Sequence, residues 1–332
     1  MPNLKLKLAC WDYDRTRALF DGRVRPKNIE LDLWSTYNVG EIMERMVRQR
    51  QFDVSELGIT YYLRSLELMG APFIAIPVFP NRFFRHSAIF VNAEKGIQSP
   101  GDLTGRRVGE LQRYGHDAGI WAKGALSDDF GVSPKSMEHY VGGIERSTPG
   151  PDWAPPDPPA DLTLHRLAPE QGLDAMLERG EIDALFSAHI PPSARKDPAR
   201  VRRLFPDFEA VERNYFRRTA IFPIMHTVVI RRDVYEQNRW IAHELMQAFE
   251  EAKALAMKAY DSADIFFNAP TMIPWFVSLR EKNRALMGEN FWLYGVEANC
   301  KTLEACLRYH QEQGILKRSY AVDELFAPET LQ

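Results

Sequence analysis

The sequence predicts an α/β protein of two lobes, each a mainly parallel sheet flanked by helices, and three observations carry that expectation. At 332 residues the chain exceeds what one ordinary core accommodates. Strand-like and helix-like stretches alternate from the N-terminus, an order that builds parallel sheets covered by helices. Two apolar strands, at 88–91 and 182–186, adjoin turn-rich segments suited to passage between lobes. The expected organisation is a discontinuous first lobe of residues 1–91 and 192–332, with residues 92–191 forming the second.

Leu4, Leu6 and Leu8 alternate with Lys5 and Lys7, the period of a strand over 4–10, and residues 14–20 open a helix. Residues 29–34 read as a second strand. Over 41–50, Ile42, Met43, Met46 and Val47 share one helical face, and Phe52-Asp53-Val54 starts a short strand ending at Ser55-Glu56. After the 88–91 strand comes SPGDLTGRRVGEL, in which Pro100, Gly101 and Gly105 mark turns and Val108 opens another strand. Residues 147–160 contain six prolines and are expected to form an exposed loop within the second lobe. The 182–186 strand runs into Ser187-Ala188-His189 and Pro191-Pro192, the expected return crossing. A strand at 224–231, a long amphipathic helix at 240–260 and a last helix at 302–313 complete the chain.

Composition narrows the function. Apolar residues make up 45% of the chain and charged residues 26%, with a net charge of −3, the balance of a globular protein. Lys and Arg are scattered, so no nucleic-acid surface is predicted. The first residues alternate too strictly for a secretory signal, and no apolar run approaches the roughly 20 residues of a membrane span. Cys10, Cys300 and Cys306 are odd in number and lack C-x-x-C spacing, which fits free thiols in a reducing compartment. The expectation is a cytoplasmic protein whose partner is a small molecule, without nucleic acid or membrane. Self-association into a homo-oligomer is left open.

Several segments together resemble a known family. DLTGRRVG is similar to the segment with which type II periplasmic solute-binding proteins begin their second lobe. FDVSELG, IPVFPNRFFRHSAIFVN, RYGHDAGIW, PIMHTVVIRRDVY and YGVEANCKTLEACLRYHQEQG resemble the 4,5-dihydroxyphthalate decarboxylases over nearly the whole chain. The resemblance implies a type II periplasmic-binding-protein-like fold with its ligand in the cleft between lobes. It also implies non-oxidative decarboxylation to protocatechuate in phthalate degradation. GHDAG, residues 115–119, is the segment associated with the decarboxylases themselves.

Such chemistry needs cations for two carboxylates, a general acid at the ring and a partner for a phenol. A positioned acid contributes roughly 10²–10⁴-fold, and His titrates in the useful range. Arg82 and Arg85 offer planar forks for carboxylates. If 82–86 is extended, Arg82, Phe84 and His86 share one face, making His86 a candidate acid, with Phe83 and Phe84 as an aromatic wall. His116 and Asp117 follow Gly115 at the start of a helix, where an anion is attracted; His116 would move a proton, while Asp117 is catalytic or merely a cap. Ser55 and Glu56 end a strand, and Glu56 would accept the phenol proton. His189 precedes the return crossing, and His226 lies in an apolar strand, where a core histidine is the plainer reading. Asp12, Arg15 and Arg17 follow the first strand, and one of them is expected to line the opening. His139, His165, His243 and His310 read as structural or exposed.

Two alternatives stay open. No cofactor is expected, but His86, His116, Asp117, His189 and Glu56 include the donor types of a divalent metal site, with no local ligand motif among them. The other alternative is capture of an aromatic acid without catalysis, the commoner use of such a fold.

Overall fold

The computed structural model describes residues 3–146, 159, 161–266 and 268–331. The proline-rich stretch at 147–160 lies outside them except for Pro159. The chain divides into two compact units, one of Met1–Arg82, His226–Leu303 and Tyr320–Gln332, the other of Phe83–Met225 and Glu304–Ser319.

In the first unit, β1 (Leu4–Ala9), β2 (Ile29–Trp34), β3 (Val54–Gly58), β4 (Phe73–Ile76) and a late strand, His226–Arg231, form a five-stranded sheet. The late strand lies between β3 and β4, antiparallel to both, while β1 pairs in parallel with β2 and β3. Leu6 and Leu8 are buried while Lys5 and Lys7 face outward, as the alternation predicts. β3 is central and buried at all five positions.

The second unit holds β5 (Ile89–Asn92), β6 (Arg107–Leu111), β7 (Glu138–Gly142), β8 (Leu164–Arg166), β9 (Ala184–Phe186) and β10 (Val201–Arg203). Their order is β10-β5-β9-β6-β7-β8; β5 is antiparallel to both neighbours, and the pairs from β9 to β8 are parallel. Naming the late strand of the first unit β11, β11 and β5 are alike: each follows a passage between units and is antiparallel to both of its neighbours. Successive residues of β5 point to opposite faces. Ile89 and Val91 join Ala122 and Leu126 of the Asp117–Phe130 helix, whereas Phe90 joins Leu173, Met176 and Leu177 of the Leu173–Arg179 helix. One sheet thus carries a core on each face.

Two expectations change. The divisions fall at 82/83 and 225/226 rather than 91/92 and 191/192, and residues 304–319 join the second unit. The reason is pairing: β5 bonds to β9 and β10, which draws 83–91 and 192–225 into the second sheet. Residues 82–86 also do not form a strand. Only Arg82 makes a bridge, and a short 3-10 helix, His86–Ala88, replaces the extended run.

Candidate functional site

In the second unit, β6 leads through residues 112–116 into the Asp117–Phe130 helix, and this bend gathers much of the predicted chemistry. Gly115 turns at φ +75°, a conformation that side chains resist. His116 is the N-cap, its side chain making no cap bond, and Asp117 is the first helical residue. Asp117 therefore supplies the helix start with its own negative charge, which weakens the expectation that a substrate carboxylate docks there. Neither ring nitrogen of His116 has a hydrogen-bond partner, although both are buried. His189 is exposed at the end of the loop after β9, held by reciprocal bonds between its backbone and Ser187 Oγ. Burial lowers the His189 pKa, and the nearby His116 and Arg85 lower it further. Burial also pulls Arg85 down to about 10, against Asp117 and Glu212, so it remains a cation at neutral pH. Its Nε donates to Met225 Sδ at 3.0 Å. Electrostatics thus couple Arg85 to Asp117 and to His189, and His116 to His189.

Behind this group stands a carboxylate that sequence reasoning missed. Glu110 of β6 is fully buried; its Oε2 accepts from Lys123 Nζ at 2.6 Å and its Oε1 from Gly115 N at 2.7 Å. His116 Nδ1 stands 3.4 Å from Oε1, and His139 Nδ1 stands 3.7 Å from Oε2. Burial alone would raise the Glu110 pKa, but Lys123, His116 and His139 outweigh it and hold it below the ordinary carboxylate range. Lys123, also fully buried, lies 3.6 Å from the Tyr114 ring centroid. A signal existed: VGEL and IWAKGAL each carry one charge inside an apolar run, and such charges are rarely buried unless paired.

The first unit holds a second group. Glu56 lies in the middle of β3, which runs on to Gly58 rather than ending at Ser55-Glu56 as expected; it is fully buried and both of its oxygens are occupied. Oε1 accepts from Tyr13 Oη at 2.7 Å and pairs with His226 Nδ1 at 2.6 Å, while Oε2 accepts from Trp11 N at 2.9 Å. The carboxylate thereby orients the His226 ring through Nδ1. Burial, then Glu56, raises the Tyr13 hydroxyl far above the usual phenol range, so it stays a donor. Arg15 lies over the rings of Tyr13 and Trp292, at 3.9 and 4.2 Å from their centroids, and lines a cavity of about 190 Å³ with Lys253, Tyr260 and Phe291. Ser55 is fully buried, its hydroxyl donating to Glu56 O at 2.9 Å. Asp12 is exposed and accepts from Arg17 Nε at 3.1 Å.

The 82–86 segment supplies no common face. Arg82 belongs to the first unit, where Nη1 donates to Asn299 Oδ1 at 2.7 Å and Leu293 O at 3.1 Å. His86 belongs to the second unit and is 4% exposed, its ring edge-on to Phe205 and Tyr215. Burial lowers its pKa to about 4, modified by Asp129 and Arg218 beside the C-terminal end of the Asp117–Phe130 helix. The structure does not bring His86 to His116, which starts that helix. Phe83 is exposed, and Phe84 stacks on Phe222. Among the described residues, no cluster of three or more His, Cys, Asp or Glu is arranged to hold a metal ion. No described helix is long and apolar enough to cross a membrane.

No family model matches the chain. It is 30% identical over 332 residues to the 4,5-dihydroxyphthalate decarboxylase of Comamonas testosteroni, covering 100% of this chain and 99% of that one. It is also 30% identical over 217 residues to the protein of the same name from Pseudomonas putida, covering 65% and 83% of the two chains. Among solved structures, the periplasmic sulfonate-binding protein SsuA of Methylobacillus flagellatus KT superposes with a TM-score of 0.54 at 14% identity, covering 98% of this chain and 92% of that one. SsuA of Escherichia coli gives 0.53 at 13%, covering 99% of both. The desulfurization enzyme DSZB gives 0.50 at 17%, covering 99% and 98%. The fold is the two-lobed periplasmic-binding-protein fold.

Proposed function

The chain belongs to the 4,5-dihydroxyphthalate decarboxylase family, and from that premise we propose that it is a carboxy-lyase removing one carboxylate from 4,5-dihydroxyphthalate to give protocatechuate. The observation that carries this reading is 30% identity sustained over the entire chain. Capture without turnover is not favoured. Three free thiols, two of them buried, support a cytosolic location, and the product suits a role in phthalate degradation.

Direct loss of carbon dioxide would leave an aryl carbanion. The easier route adds a proton to the ring carbon bearing the carboxylate, helped by electron donation from the hydroxyl para to it. The carbon–carboxylate bond then breaks, its electron pair restores the aromatic ring, and carbon dioxide departs. One proton is consumed per turnover and regained from water. His116 is the proton donor in this reading, supported by its buried ring, whose Nδ1 faces an ionised Glu110 at 3.4 Å. Arg85 offers the bidentate cation for a substrate carboxylate, and the exposed His189 a second donor to the same dianion.

The test is incubation of the purified protein with 4,5-dihydroxyphthalate, following carbon dioxide and product together. One equivalent of each per substrate consumed is expected. Tight binding with no carbon dioxide would overturn the reading in favour of capture.

A further inference from the structure

The Glu110–Lys123 pair is more than a staple between β6 and the helix that follows, because its two carboxylate oxygens do different things. Oε2 is taken by Lys123, while Oε1 holds Gly115 N and faces His116 Nδ1. Room for this comes from Gly119: a Cβ there would lie 2.3 Å from Glu110 Oε1 and 2.9 Å from His116 Cε1. Real side chains do not approach so closely, so any Cβ at residue 119 would push Glu110 away from the turn. Lys123 of the same helix and His139 of β7 face Glu110 as well, Asp117 adjoins His116, and His189 is influenced by both His116 and Arg85.

Resting on the reading of His116 as proton donor, we propose that Glu110 is its positioning residue: it fixes the 115–117 turn through Gly115 N and receives the Nδ1–H of the ring, directing Nε2 to the substrate. Lys123 keeps the buried carboxylate compensated. In the cationic state of His116 the 3.4 Å separation becomes a charge-assisted hydrogen bond, which steadies the imidazolium before it gives up the Nε2 proton. After transfer, Nδ1 keeps its proton toward Glu110 and Nε2 collects the next from water.

The test must separate this role from simple stabilisation. Glu110→Gln alone removes the carboxylate that pairs with buried Lys123 and threatens the fold, so the informative variant is Glu110→Gln with Lys123→Met. It removes both charges while the amide oxygen that replaces the carboxylate still accepts from Gly115 N, and such replacements are often neutral for stability. The expected result is a melting temperature close to wild type, KM within threefold, and kcat reduced at least 30-fold. In a His116→Gln background the pair of substitutions should cost no further kcat. A stable double variant with wild-type kcat would overturn the proposal. A readout that needs no turnover is ¹⁵N NMR of the His116 ring: the neutral ring should be the Nδ1–H tautomer in wild type and lose that preference when Glu110→Leu with Lys123→Met removes the acceptor at Oε1 altogether. An unchanged tautomer would also overturn it. If wild type releases no carbon dioxide, the decarboxylase reading fails while the tautomer still reports on Glu110.

Discussion

Gly119→Ala offers a test in which the usual rule and this structure disagree in sign. Residue 119 lies inside the Asp117–Phe130 helix, where alanine is ordinarily better than glycine by about 1 kcal/mol. Here the new methyl would stand 2.3 Å from Glu110 Oε1 and 2.9 Å from its Cδ, whereas ordinary contact begins near 3.4 Å. The carboxylate must retreat by about 1 Å, enough to break its 2.7 Å bond to Gly115 N or its 2.6 Å pair with Lys123. Overpacking costs about 1–3 kcal/mol, and losing a buried hydrogen bond to a charged group costs about 1.5–3 kcal/mol. Subtracting the helix gain leaves a net destabilisation of about 1.5–5 kcal/mol. Urea unfolding at pH 7.5 measures it, and the same sample should show kcat falling with little change in KM. Stability equal to or above wild type would refute the close packing of Glu110 against this helix.

A second helix glycine gives a purely structural counterpart. Gly124→Ala would place Cβ 2.4 Å from the Tyr309 ring, which is edge-on to Trp121 and whose hydroxyl donates to Asp128, so urea unfolding should show none of the usual helix gain and a loss of up to about 2 kcal/mol. Glu56→Ala removes the acceptor of Trp11 N, Tyr13 Oη and His226 Nδ1 together and should lower stability by about 3–5 kcal/mol, with Glu56→Gln losing distinctly less. His86→Phe should keep turnover within threefold, since the ring sits among aromatic neighbours away from His116. It should also change the acid limb of stability. The unfolded imidazole takes a proton below about pH 6.5, whereas buried His86 stays neutral to about 4, so wild type loses stability as pH falls through that window, by up to about 3 kcal/mol from this group. His139 is likewise lowered to about 4 by burial and Lys123, so urea midpoints should decline less steeply in the variant without becoming flat. An unchanged slope would remove His86 from that account.

Patterns repeated within one element were legible in the sequence, and contacts between elements were not. The Leu/Lys alternation of β1 and the apolar stripe of the Ile241–Phe266 helix are local periodicities, which solvent imposes directly on the chain. The 82–86 segment has the alternation of a strand without the partners of one. Its hydrogen bonding passes instead to a 3-10 turn, so the alternation there is not a face. The divisions between units differ from expectation because they depend on which sheet accepts β5, a long-range fact. At the site, His116 and Asp117 announced themselves through glycines and a helix start. Glu56 and His226 were each visible, but their 2.6 Å pairing across β3 and β11 was not. Glu110 and Lys123, thirteen positions apart, were hidden because each looked like a lone charge in an apolar run.

Stability alone is a poor explanation for that pair. Placing both ions out of water forfeits several kcal/mol of hydration for each, which their 2.6 Å contact at best returns, and an apolar pair of similar volume would do the same packing without that cost. A helix start capped for stability needs an acceptor at the N-cap and tolerates alanine three residues later, yet here the N-cap is a histidine whose side chain caps nothing, and a Cβ at residue 119 would force Glu110 to move. Each departure makes sense from the position of one oxygen, Glu110 Oε1, which needs the turn at Gly115, the gap at Gly119 and a histidine within ion-pair reach. Lys123 supplies what a buried carboxylate requires to stay ionised, and a carboxylate that stays ionised can hold a proton on the far side of an imidazole. The strained and costly features of this bend therefore converge on the ring of His116 rather than on the fold around it.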